Sequence, residues 1–96
     1  MMDMRRTDVF DGWLRGLRDT RATARIALRV DRLAHGNPGD VKPVGEGVSE
    51  LRIDYGPGYR IYFVRRGEAL VILLCGGDEG SQDRDIARAK AIARTV

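Results

Sequence analysis

The sequence predicts a small α+β domain in which two helices precede a mainly antiparallel sheet of three to five strands and a final helix follows it. Apolar residues recur at helical spacing over the first third of the chain. The period switches to two between residues 41 and 75, and helical spacing returns after residue 81. With 96 residues and 43% apolar content, the whole chain, 1–96, is expected to fold as one domain around its own core.

Val9, Phe10, Trp13, Leu14 and Leu17 predict a helix over 8–18, with Thr7 or Asp8 available as N-cap. Ala22, Ile26, Val30 and Leu33 predict a second over 20–35, starting near Asp19 or Thr20. Gly36-Asn37-Pro38-Gly39 stops it, because glycine accepts the left-handed cap and proline cannot continue a helix. The short break between the two suggests an antiparallel helical hairpin. Residues 41–47 read as a short edge strand, since Pro43 has no N–H to give a ladder. Residues 48–55 and 59–66 alternate. Residues 68–75, EALVILLC, are apolar on both faces, as expected of a central strand covered by helices on one side. A last helix is expected over 81–95, capped by Asp78 or Ser81, with Ile86, Ala89 and Ala93 on one side. Residues 2–6 leave room for one more short strand.

Net charge is +3, and all but Lys42 and Lys90 of the 17 basic residues are arginine. Arginine is permanently charged and its planar donors suit phosphate and carboxylate. Composition alone can produce that count, so position decides. The lone cysteine, Cys75, excludes an internal disulfide or a cysteine zinc site; in its apolar run an inert buried thiol is expected. The lone histidine, His35, falls at a helix C-terminus, where the dipole favours a cation. No metal or other cofactor is implied. MMDMRRTDVFDG lacks the apolar core of a signal peptide, and no run approaches 18 apolar residues, so a cytoplasmic chain is expected.

The stretch LRIDYGPGYRIYF, residues 51–63, carries the candidate chemistry. Pairing across Gly56-Pro57-Gly58 sets Asp54 opposite Arg60, Ile53 opposite Ile61, Arg52 opposite Tyr62 and Leu51 opposite Phe63. Leu51, Ile53, Ile61 and Phe63 then share a core face, and Arg52, Asp54, Arg60 and Tyr62 share the other. That second face is either a set of surface ion pairs and cation–π contacts or a phosphate-binding surface. In the latter case the arginines are donors and Tyr62 or Tyr59 is a stacking platform, extended by Lys42, Arg65 and Arg66. Arg21, Arg25, Arg29 and Arg32 form a stripe on the second helix, either a solvated face or a surface for an acidic partner or nucleic acid. GGDEGSQ, residues 76–82, lacks the GK[ST] ending of a phosphate-binding P-loop, and its Asp78 and Glu79 suit helix caps.

Gly36-Asn37, Gly39-Asp40, Gly45-Glu46-Gly47-Val48, Glu50-Leu51-Arg52, Gly56-Pro57-Gly58-Tyr59-Arg60 and Gly76-Gly77-Asp78 together resemble the RelE/ParE superfamily of toxins. Within it they are most similar to the phage-derived, HigB-like addiction module killer proteins. The resemblance runs from about Val9 to Ala93. It implies a RelE-like fold and a type II toxin held inactive by a small cognate antitoxin, often a helix-turn-helix protein, through which alone DNA is contacted. RelE-like members cut mRNA in the ribosomal A site by in-line attack of a ribose 2′-OH on the adjacent phosphate. ParE-like members instead inhibit DNA gyrase, and an inactive, antitoxin-binding subunit is the third possibility. Arg60 matches the arginine such enzymes carry at the start of this strand, and Arg52 corresponds to a basic residue on the preceding one. The resemblance thus points to Arg60 and Arg52 as catalytic, with Tyr62 and Glu79, beside Glu46 and Asp78, as candidates to move protons; the spacing adds Lys42, Arg65 and Tyr59 on RNA and the stripe Arg21, Arg25, Arg29 and Arg32 on the partner. Two departures stand out. Glu79 occupies the place where the subgroup pattern has lysine, and Arg84-Asp85-Ile86 replaces the tyrosine or histidine found near the last helix of several relatives.

Overall fold

Local sequence starts each helix. The Thr7 hydroxyl accepts from Phe10 N–H at 3.0 Å and donates to Leu74 O at 2.6 Å, so one side chain caps a helix and ties it to the sheet. Asp19 accepts from the N–H groups of Arg21 and Ala22 at 3.0 and 3.2 Å. The computed structural model, which describes residues 1–96, contains β1 (Asp3–Arg6), α1 (Asp8–Gly16), α2 (Thr20–Ala34), β2 (Val41–Gly45), β3 (Val48–Ile53), β4 (Tyr59–Arg66), β5 (Leu70–Gly77) and α3 (Gln82–Ala93). A 3-10 turn, Glu79–Ser81, precedes α3. Helix α2 ends where expected: His35 is the C-cap and Gly36 follows at φ 83°.

The sheet order is β1-β5-β4-β3-β2, with β1 parallel to β5 and every other pair antiparallel. The chain is therefore an α+β fold of three helices on a five-stranded mixed sheet. Pro43 does lie on an edge strand. Coverage differs from the one-sided arrangement expected for the central strand. Phe10, Ala22, Ile26 and Leu33 from α1 and α2 pack with Leu51, Ile53, Ile61, Phe63, Val71 and Leu73 on one face. Ala89 of α3 packs with Val48, Tyr62, Val64, Ile72, Leu74 and Cys75 on the other. Strand β5 thus lies between two layers, which is why its sequence has no polar alternation. A bulge where Tyr62–Phe63 of β4 faces Leu73–Cys75 of β5 inserts Leu74 as the extra residue.

The β3–β4 register departs from the expected one by two residues: Arg52 faces Arg60, Ile53 faces Tyr59 and Glu50 faces Tyr62. The connection is a five-residue loop, 54–58, held from outside. Tyr55 donates its O–H to Asp19 at 3.0 Å, and Arg25 stacks over the Tyr55 ring at 4.6 Å. Because side chains alternate with period two, a slip of two leaves each residue on its predicted face. What changes is the carboxylate. Asp54 drops into the exposed loop and Glu50 takes its place.

Candidate functional site

Arg52 and Arg60 sit side by side on the α3 face of the sheet, and both are oriented by Glu50, whose side chain has no exposed surface. Glu50 Oε1 accepts from Arg52 Nε at 3.0 Å and lies 3.7 Å from Arg60 Nε. Its Oε2 accepts from the Tyr62 hydroxyl and from Gln82 Nε2 of α3, each at 2.9 Å. Burial alone would raise the Glu50 pKa. Hydrogen bonds from Gln82, Arg52 and Tyr62, with the Arg60 charge, outweigh it and hold the carboxyl below its usual range. Arg60 Nη1 donates to Gly58 O at 3.2 Å, while its Nε is buried with no hydrogen-bond acceptor. The Arg52 and Arg60 side chains keep 32% and 14% of their surface exposed, so both reach solvent from a buried anchor.

Tyr62 is not the stacking platform or proton donor that sequence reading made of it. It is fully buried beneath α3, and burial first, then the bond to Glu50, pushes its phenol far above the ordinary value. Folding therefore favours neutral Tyr62. That stabilisation is complete below about pH 10, where the unfolded phenol titrates, and is lost as pH rises beyond it. The buried Cys75 thiol, pushed up to about 12 by burial, acts in the same direction from about pH 9. The thermal midpoint is expected to fall steadily between pH 9 and pH 11. Tyr62→Phe should reduce that slope, leaving the Cys75 share; a wild-type midpoint flat over this range would contradict the assignment.

The remaining expected residues divide. Lys42 faces Glu50 across β2–β3 and is exposed, so it extends the arginine face. Glu79 is exposed, its N–H donates to Pro57 O at 3.3 Å, and its carboxylate and Arg60 Nη1 both flank Gly58. Tyr59 lies on the opposite face, buried edge-on against Trp13 with ring centroids 6.2 Å apart, and offers no surface for a base. Arg65 is likewise on that opposite face, bordering a cavity with Met2, Gly36 and Phe63, so it does not extend the arginine pair. Arg66 donates to Ala93 O and Val96 O at the end of α3. Glu46 is held by Arg94 at 2.8 Å, and Asp78 caps the 3-10 turn with Ser81.

The stripe on α2 is not one surface. Arg29 donates to Arg52 O at 2.7 Å, Pro38 O at 3.0 Å and Asp40 O at 3.4 Å, which makes it a clamp on the backbone behind the site. Arg25 covers Tyr55, and Arg21, Arg25 and Arg32 remain exposed. Sequence reading missed Glu50 and Gln82. Glu50 had a signal, because it alternates with Val48 and Arg52 on one face of a strand; Gln82 had none.

No group of three or more His, Cys, Asp or Glu side chains is arranged to hold a metal ion, and no helix is long and apolar enough to cross a membrane. A cavity of about 460 Å³ lies elsewhere, among Met2, Met4, Phe10, Leu14, Ile26 and Val30 between β1 and the N-terminal helices. The arginine site is an open, polar surface, suited to an extended chain with exposed charges rather than an enclosed small molecule. No protein-family model matches the chain. An uncharacterized protein of Haemophilus influenzae is 50% identical over 95 residues, which span 99% of this chain and 96% of that protein. With half the residues shared over nearly the full length of both, the chain belongs to the same family as the Haemophilus influenzae protein.

Proposed function

We propose that this protein is a RelE/ParE-type toxin that cleaves mRNA on the ribosome, with Arg52 and Arg60 neutralising the scissile phosphate. The observation that supports it is the pairing of two permanent cations across β3–β4 around one buried carboxylate, hydrogen-bonded to Arg52 and within ion-pair distance of Arg60. The reaction is attack of a ribose 2′-oxygen on the neighbouring phosphorus. The 2′-O–P bond forms, the bond from phosphorus to the 5′-oxygen breaks, and the proton lost from the 2′-OH is balanced by one gained at the 5′-oxygen. Charge builds on the non-bridging oxygens as phosphorus becomes five-coordinate. Fixed guanidinium donors aimed there act without reorganising, and each such donor is typically worth about 10²–10³ in rate. In this reading Glu79, the exposed carboxylate beside Gly58, takes the 2′-OH proton. Tyr62 leaves the catalytic set. Lys42 meets a flanking phosphate, and the exposed Arg21, Arg25 and Arg32 accept an acidic segment of a cognate antitoxin.

The burial of Tyr62 favours a second reading, because it leaves no neutral acid at the site for the leaving oxygen. That reading is a toxin that binds and inhibits DNA gyrase without cutting RNA. Induced expression followed by primer extension separates them. New 5′ ends inside translated codons are expected; intact messages with trapped gyrase–DNA breaks would select the second reading. Neither product, with growth unaffected, would leave an antitoxin-binding subunit.

A further inference from the structure

Glu50 divides its oxygens between two kinds of donor. Oε1 faces only cations, the Nε atoms of Arg52 and Arg60 at 3.0 and 3.7 Å. Oε2 faces only neutral groups, the Tyr62 hydroxyl and the Gln82 amide, both at 2.9 Å. Those neutral donors come from β4 and from the first residue of α3, so one oxygen of the carboxylate is fixed by groups that carry no charge. Arg52 is gripped by a hydrogen bond at Nε, whereas Arg60 is drawn to the same oxygen by charge, its Nε making no hydrogen bond. Arg52 has no other side-chain hydrogen bond within the chain, and Arg60 uses only Nη1, on Gly58 O.

From this we infer that Glu50 is a positioning residue. It sets the planes of both guanidinium groups so that their outer N–H donors present one surface to a phosphodiester, and Gln82 and Tyr62 hold Glu50 in turn. The activity arm of the test rests on the RNA-cleaving reading proposed above. Two arginines against one carboxylate leave one net positive charge, which a single phosphodiester neutralises. A surface arginine normally samples many rotamers, so holding the long side chain at Nε removes that disorder before the ligand arrives. Glu50 itself stays out of the chemistry. It is buried, it is held ionised, and every hydrogen bond it accepts is internal.

The test compares the full-length wild type with Glu50→Gln and Gln82→Leu. Glu50→Gln removes the shared anion, so the site gains one positive charge while Arg52 loses its charged anchor and Arg60 keeps only its bond to Gly58 O. Turnover on translated mRNA is expected to fall about 10²-fold, the scale of a misplacement near one ångström. Binding of a short single-stranded RNA, read by fluorescence anisotropy, is expected to hold or tighten, because added positive charge favours phosphate. A protein that merely unfolds loses both. Gln82→Leu removes one neutral donor and leaves every charge, so it keeps the protein folded if Glu50→Gln does not; turnover should fall about tenfold at unchanged RNA affinity. A third readout needs no activity. The Arg52 Nε–H signal in ¹⁵N NMR should be protected from exchange in the wild type and lose that protection in both variants. Should the wild type cleave no message, the function proposed above fails while this NMR comparison still decides the role of Glu50. Unchanged Arg52 Nε protection in the variants, or turnover and RNA binding falling together in Gln82→Leu, overturns the assignment.

Discussion

Replacing Arg60 with alanine is expected to abolish growth arrest while leaving the fold in place. Arg60 carries one of the two charges at the proposed phosphate site. Losing such a donor typically slows a reaction about 10²–10³-fold. The fold should tolerate the change. Glu50 keeps its three hydrogen bonds from Arg52, Tyr62 and Gln82, and the buried Nε that lacks an acceptor disappears with the side chain. The losses are the packing of the Arg60 stem, the bond from its Nη1 to Gly58 O and its attraction to Glu50, together about 1–2 kcal/mol, or roughly 4–16 °C in melting temperature for a domain of this size. Arg60→Lys should rescue little, because an ammonium cannot span two phosphate oxygens as a guanidinium does. Colony counts after induction, paired with circular-dichroism melts, check both halves. An Arg60→Ala protein that still arrests growth removes this residue from the mechanism.

Gly76→Ala is expected to be strongly destabilising for a single added methyl. Gly76 faces Ile61 on β5, and a Cβ there would overlap the Trp13 indole. The indole is partly buried and packs against Phe10 with ring centroids 5.8 Å apart and against Tyr59 at 6.2 Å, so relieving the overlap means breaking those ring contacts. Over-packing of this kind costs about 3 kcal/mol at the upper end of its usual range, which lowers the melting temperature by roughly 10–20 °C. The two positions should be coupled. Trp13→Leu makes room for the methyl, so the double variant should lose less stability than the two single losses summed. Additive losses by calorimetry would mean that the indole is not what makes Gly76 necessary.

How much of this could be read from the residues depends on the range of the forces involved. Thr7, Asp19 and Gly36 act within three or four residues, and the helix boundaries they set were legible. The switch to period two located β3 and β4 and put Leu51, Ile53, Ile61 and Phe63 on the face that α1 and α2 cover. The register was not legible, because the 54–58 loop is fixed by Asp19 and Arg25 reaching to Tyr55, contacts some thirty residues apart in sequence. Parity protected the assignment of Arg52, Arg60 and Tyr62 to one face, yet parity also carried information that went unused. Tyr59 and Arg65 share the odd-numbered positions of Ile61 and Phe63, so they belong to the opposite face from Arg60. The burial of Tyr62 depended on α3 crossing the second face of the sheet, and the short apolar side of that helix gave little notice of it. Glu50 was hidden by the same step. A carboxylate between Val48 and Arg52 reads as surface until a helix covers it.

The central claim, that the arginine pair handles an RNA phosphate, is tested most directly by adding the purified protein to a reconstituted translation system and mapping message ends by primer extension. The account predicts new 5′ ends within codons occupied by the ribosome. They should be strongly reduced with Arg60→Ala or Arg52→Ala and absent when translation is blocked before elongation. Messages that stay intact with folded wild-type protein present, or ends that form equally well with both arginines replaced, would contradict it.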